Sequence, residues 1–247
     1  MHIESVGPPD APAIVFLHGV ATSGWMWWQQ LPAFADHLCL NVDLPGHGRS
    51  HDIPWVSLAD TARRVAEVIT TRTAAGRAHV VGLSLGGHVA LSLLEHHPDA
   101  VDRAVISGVT SRPWPRRWLL APQAWLVSTM LRSPRLVGVQ ARAMGVPAEV
   151  QPAFIENALL VTRETYRRVI DEVSGHRLSG SMAAVRTPTL VLAGGNERDM
   201  IKQAVTDIPA VMPDAAGRIV PGVGHGWNVE APELFNRTVR EWIQPPG

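Results

Sequence analysis

Residues 78–97 read Ala78-His79-Val80-Val81-Gly82-Leu83-Ser84-Leu85-Gly86-Gly87-His88-Val89-Ala90-Leu91-Ser92-Leu93-Leu94-Glu95-His96-His97, followed by Pro98. An apolar run of strand length leads into a glycine-flanked serine, and a helical pattern follows until the proline stops it. The centre, Gly82-Leu83-Ser84-Leu85-Gly86, matches G-x-S-x-G. A turn this tight between strand and helix forces the serine into a strained conformation and lifts its hydroxyl clear of the sheet. Glycines on both sides remove the clashes that side chains would cause. A glycine-rich turn carrying an incidental serine is the plainer alternative, and the strand–turn–helix setting argues against it.

Working outward, further apolar runs of strand length stand at 13–17, 38–42, 101–106, 189–193 and 218–220. They alternate with helical patterns, the signature of a mostly parallel sheet covered on both faces. Leu58, Ala62, Val65 and Ile69 form one helical face, preceded by Ser57 with Asp60 three residues on, a capping-box arrangement. A last helix over 232–243 carries Leu234, Phe235, Val239 and Trp242 as its buried stripe. The alternation lapses once. Residues 111–186 show helical periodicity broken by prolines and no convincing strand, so they read as a helical insertion between two strands.

A serine hydroxyl needs a base before it can act as a nucleophile. Of 11 histidines, His225 stands out in Gly222-Val223-Gly224-His225-Gly226, a flexible loop between the last strand run and the last helix. His2, His37, His51 and His176 sit in polar surroundings and read as solvated, and His18 reads as structural. His88, one turn after Ser84, reads as a helix-surface or pocket-lining residue. The base needs an acid to fix its tautomer. The loop Gly194-Gly195-Asn196-Glu197-Arg198-Asp199 offers two, Glu197 and Asp199; the other would serve as a helix-start acid. Oxyanion donors are expected at the backbone N–H of Leu85 and at that of Val20, in the loop after the run 13–17. Trp25, Trp27 and Trp28 follow that loop and either wall the pocket or serve helix packing. Trp227, just after His225, walls the pocket or positions the histidine loop.

These features together resemble the α/β-hydrolase fold superfamily, in its serine-nucleophile, esterase- and lactonase-like branch. The matching residues are Phe16-Leu17-His18-Gly19, the segment Asp43-Leu44-Pro45-Gly46-His47-Gly48-Arg49-Ser50, Gly82-Leu83-Ser84-Leu85-Gly86-Gly87, His97-Pro98-Asp99 and Gly224-His225. The resemblance covers nearly the whole chain, and the order serine, acid, histidine agrees with it. It implies a doubly wound, mostly parallel sheet with a helical cap inserted after the sixth strand. The core would span 1–110 and 187–247, and the cap 111–186. It also implies that the acid falls three residues after Gly194, which selects Glu197 over Asp199, although aspartate is the commoner residue there. Only the run 3–6 is available before the His18-Gly19 loop, so the family's first strand is expected to be missing.

Composition narrows the field further. Twenty-two basic and 22 acidic residues give a formal charge of zero, which excludes nucleic-acid binding through overall basicity. Cys39, the sole cysteine, has no disulfide partner and reads as a buried small hydrophobe. No signal-peptide pattern opens the chain, and the most apolar long stretch, 118–131, is too short to span a bilayer. A cytoplasmic protein, monomer or homodimer, is expected. The charge is unevenly spread: the insertion holds 11 arginines against five acids, a net +6, so the remainder carries −6. Within 112–142 there are six arginines and no acid, interleaved with Trp114, Trp118 and Trp125. The plainest reading is an amphipathic cap with tryptophans inward, Trp118 reaching the pocket. A cationic rim that attracts anionic substrates comes second, and membrane contact is not expected.

The expected chemistry is hydrolysis of carboxylic esters through Ser84, His225 and Glu197, with no metal or organic cofactor and a small acyl compound as partner. C–C bond or enol-lactone hydrolysis uses the same residues, and a ligand-binding module with little turnover is the rival from another class. Activity should fall in acid as the base protonates.

Overall fold

In β2 (Ala13–Leu17) every residue is buried, because both faces of the strand are covered. Ala13, Val15 and Leu17 join one hydrophobic cluster and Ile14 and Phe16 the other, the two-residue period of an extended chain. The computed structural model describes residues 1–115, 132–143 and 146–244. Around β2 it assembles β1 (Ile3–Val6), β3 (Leu38–Val42), β4 (Ala78–Leu83), β5 (Val101–Ser107), β6 (Thr189–Gly194) and β7 (Ala215–Val220). The order is β1-β3-β2-β4-β5-β6-β7, with β1 antiparallel to β3 and every other pair parallel. From β2 the chain adds β3 on one side and β4 on the other. The crevice at the carboxyl ends of β2 and β4 is therefore the switch point where open α/β sheets receive ligands.

Helices α1 (Leu58–Arg72) and α2 (Leu85–His96) cover one face of the sheet. Ser57 caps α1 as its spacing predicts, its hydroxyl accepting from the Asp60 N–H at 3.0 Å. The other face is covered by Trp27, Phe34 and α8 (Pro232–Ile243). The α8 stripe is displaced from the expected one. Phe235, Thr238, Val239 and Ile243 are buried, while Leu234 and Trp242 stay at the rim. The 3.6-residue period carries the stripe to 242–243, and the smaller Ile243 meets the sheet. Strand β7 begins three residues before the run 218–220. Residues 216–219 are exposed on this edge strand, Ile219 among them, so Val220 alone is buried and the strand's start carried no continuous apolar run.

Between β5 and β6 lie α3 (Pro134–Ala143), α4 (Gln151–Leu160) and α5 (Arg163–Gly175), with no strand among the described residues. With only β1 ahead of β2, this stretch follows the fifth strand of the sheet rather than the sixth. Its two ends are tied to each other: Trp114 N–H donates to Ser174 O at 2.8 Å and Leu178 N–H to Ser111 O at 3.0 Å. Glu172 pins α5 to the core by accepting from Leu58 N–H at 2.7 Å and Trp55 Nε1 at 3.0 Å. Burial pushes the Glu172 carboxyl above its ordinary range. Among the described residues no helix is long and apolar enough to cross a membrane; the stretch 118–131 lies outside them.

Several histidines are interior residues. His37, expected to be solvated, is buried beside Phe34, and His176, also expected in solvent, stacks edge-on to His88 at 5.0 Å. His18 and His47 are fully buried with ring centroids 5.2 Å apart, and burial lowers them to about 4 and about 3. The unfolded chain binds these protons near pH 6.5 and the folded chain refuses them until far lower. Each therefore contributes stability that is present above pH 6.5 and lost as the pH falls toward 4, at about 1.4 kcal/mol per pH unit. Urea unfolding should show a clear drop in midpoint between pH 7 and pH 5; a midpoint flat across that range would contradict neutral buried imidazoles.

Candidate active site

Leu83 ends β4 and Leu85 begins α2, so the whole change of direction falls on Ser84. Its backbone lies at φ 58°, ψ −112°, a conformation disfavoured for any residue with a side chain. The structure over-determines it. Ser84 N–H donates to Ser107 O at 2.8 Å, and Ser84 O accepts from His88 N–H at 3.1 Å and from His88 Nδ1 at 2.9 Å. His88 Nε2 faces the Thr110 N–H at 3.3 Å, which fixes the tautomer with the proton on Nδ1. Burial and the neighbouring His176 lower His88 to about 3, so it stays neutral. Gly86 must be glycine, because a Cβ there would lie 2.0 Å from Leu17 O. That close approach lets Gly86 N–H donate to His18 O at 2.9 Å and sets the loop after β2 against the serine turn.

The same loop is fixed from within. His18 Nδ1–H donates to Gly19 O at 2.8 Å, its Nε2 accepts from Leu44 N–H at 2.9 Å, and Thr22 Oγ1–H donates to Gly19 O at 2.7 Å. His18 thus holds the loop to the segment 43–51 and does not face the cavity. Val20 does, and so does Leu85, whose N–H at the first position of α2 has no carbonyl within the helix to reach.

His225 stands in the loop between β7 and α7 (Trp227–Glu230), its Nδ1 2.5 Å from Glu197 Oε1. The Glu197 side chain is 1% exposed and that of His225 42% exposed, so the acid is interior and the imidazole faces the cavity. A buried carboxylate needs partners. Glu197 has two, its second oxygen accepting from Gly194 N–H at 2.6 Å. Asp199, the competing acid, points away: its side chain is 99% exposed and pairs with Lys202 at 2.9 Å. The His225 loop is laced to the acid loop by Asn196 N–H to Val223 O at 3.0 Å and Gly195 N–H to Val220 O at 2.7 Å. Gly108, at φ 71°, leaves room for the imidazole, since a Cβ there would lie 2.7 Å from His225 Cε1.

Ser84, Leu85, Val20, His88, Glu197 and His225 line one cavity of about 600 Å³. Its other walls are Gly108, Thr110, Trp114, Asn196, Arg198, Met200 and Ile201, with Tyr166, Val169, Ile170 and Val173 from α5. The last four were legible as an i, i+3, i+4, i+7 stripe, but periodicity does not say what a stripe faces. Arg198 and Met200 carried no pattern at all. Trp25 is not in this wall; it packs edge-on to Phe154 at 5.9 Å. Trp227 is not in it either. It is buried, donates from Nε1 to Ser107 Oγ at 2.9 Å and stacks on Phe235, bracing the histidine loop from inside. Trp118 lies outside the described residues. None of the described arginines of 111–186 lines the cavity. Among the described residues no group of three or more His, Cys, Asp or Glu is placed to hold a metal ion.

The profile of the alpha/beta hydrolase family matches residues 14–238. A 2-hydroxy-6-oxononadienedioate/2-hydroxy-6-oxononatrienedioate hydrolase of Burkholderia vietnamiensis is 27% identical, over 99% of this chain and 91% of that one. A pimeloyl-[acyl-carrier protein] methyl ester esterase of Nitrosomonas europaea is also 27% identical, over 95% and 96%. Among solved structures, a hydrolase from Pseudomonas aeruginosa PA01 superposes with a TM-score of 0.78 at 25% identity, covering 98% of this chain and 93% of that one. With that profile spanning most of the sequence and the sheet order and serine turn described above, the chain belongs to the alpha/beta hydrolase family.

Proposed function

We propose that the protein hydrolyses carboxylic esters of small, fairly apolar acyl compounds through Ser84, His225 and Glu197. The observation that carries the reading is the convergence of the strained serine and the His225–Glu197 pair on a single, largely apolar cavity. With Nδ1–H donating to Glu197, the His225 Nε2 is left as the proton acceptor. Ser84 Oγ attacks the carbonyl carbon while its proton passes to that nitrogen. The oxyanion so formed is held by the N–H groups of Val20 and Leu85. Collapse expels the alcohol, which takes the proton from His225. Water, deprotonated by His225, then attacks the acyl-serine and releases the acid. In this reading 1–110 with 187–247 form the catalytic body and 111–186 the cap, α5 closing the cavity over the serine. A cytoplasmic site of action fits the lone, buried Cys39.

Cleavage of a C–C bond next to a carbonyl is the second reading, favoured by the name of the Burkholderia relative. A screen of p-nitrophenyl esters of graded acyl length, run beside a dienoic ketoacid, separates the two. Turnover of the esters is expected. Exclusive turnover of the ketoacid favours the second reading, and no turnover of either, with Ser84 inert to a fluorophosphonate, favours a binding module.

A further inference from the structure

Among the described residues, the proposed ester chemistry leaves one charged residue of the cavity wall unused. Arg198 follows Glu197 directly and lines the same cavity as Ser84 and His225. The carboxylates beside it in the chain and on the helix that it caps are committed elsewhere. Glu197 is held by His225 and Gly194 N–H, Asp199 turns outward to Lys202, and Asp207 is held by Ser111, Gln203 and Arg112. Among the described residues Arg198 makes no ion pair and no side-chain hydrogen bond.

Nor does its helix call for it. Arg198 is the N-cap of α6 (Asp199–Asp207), and its side chain makes no cap bond. Serine, threonine, asparagine and aspartate favour that position, and a cation there opposes the positive end of the helix dipole. Arg198 is exposed where it lines the cavity, and its charge and the helix dipole both favour an anion at that end of it. The apolar residues of the same cavity, Val169 and Ile170 of α5 and Ile201 of α6, suit an alkyl chain.

We propose that this cavity takes an acyl substrate bearing a second, free carboxylate, and that the Arg198 guanidinium pairs with that carboxylate. The bond cleaved rests on the hydrolase reading above; the pairing does not. The anion-attracting charge then comes from the loop after β6, since no described arginine of 111–186 lines the cavity.

The test uses p-nitrophenyl hexanoate and the p-nitrophenyl half-ester of adipic acid, which differ by one terminal carboxylate. In a Ser84→Ala background, quenching of tryptophan emission (Trp114 lines the cavity) reports binding of each without cleavage. An arginine–carboxylate hydrogen-bonded pair predicts that Arg198→Gln lowers the preference for the half-ester about tenfold, and that the loss shrinks with added salt. Arg198→Lys keeps the charge and should recover part of the preference. An unchanged preference in Arg198→Gln, or equal losses in the glutamine and lysine variants, overturns the proposal. Arg198-dependent binding of the half-ester with no turnover by the unaltered enzyme would uphold the carboxylate site and overturn the hydrolase reading instead.

Discussion

Replacing Ser84 with alanine should lower kcat on an activated short-chain ester by about 10⁴-fold or more, while the variant binds the ester and unfolds at a similar denaturant concentration. The size follows from the role: without the hydroxyl no acyl-enzyme forms, and what remains is the weak help of the oxyanion donors. The fold should survive because the turn is held by backbone contacts. Ser84 N–H to Ser107 O, Gly86 N–H to His18 O and His88 Nδ1–H to Ser84 O all persist in the alanine variant. Alanine at φ 58° is as strained as serine, so the backbone cost is shared by both proteins. A loss below tenfold would mean that another group attacks the substrate.

The second large effect concerns the acid. Glu197→Gln should cost about 10³- to 10⁴-fold in kcat, because a neutral amide cannot stabilise the imidazolium and can present its NH₂ to Nδ1, favouring the wrong tautomer. Asp199→Asn should change kcat by less than about twofold, since an exposed ion pair such as Asp199–Lys202 contributes little. Kinetics of the two variants side by side decide the matter. If the loss falls on Asp199→Asn, the acid loop must rearrange in the working enzyme and the pairing of His225 with Glu197 is a resting arrangement.

Much of this site was legible in the sequence because its parts obey local rules. The serine turn needs glycine where Leu17 O comes within 2.0 Å of a would-be Cβ, and only a few sequences meet that requirement between a strand and a helix. The histidine loop and the acid loop each follow an apolar run, so chain order alone brought them to the same edge of the sheet. What stayed hidden depends on contacts distant in sequence. The tryptophans near the motifs suggested pocket walls, yet Trp25 turns to Phe154 and Trp227 to Ser107 and Phe235. The polar surroundings of His37 suggested solvent, but its ring packs edge-on to that of Phe34. The displaced α8 stripe and the exposed residues of β7 have the same origin: an amphipathic pattern gives a face, and only packing gives its partner. The charge imbalance drew attention to the insertion, whereas the unpaired cavity-lining cation among the described residues, Arg198, stands in the loop after β6.

Trapping the acyl-enzyme tests the central claim most directly. Wild-type protein mixed with excess p-nitrophenyl butyrate and quenched in acid within the first turnovers should gain one butyryl group, located by peptide mass spectrometry on Ser84. The adduct should be absent in Ser84→Ala and should decay on dilution with the release of butyrate. Rapid ester turnover with no adduct on Ser84, or an adduct on another residue that decays at the turnover rate, would contradict the account.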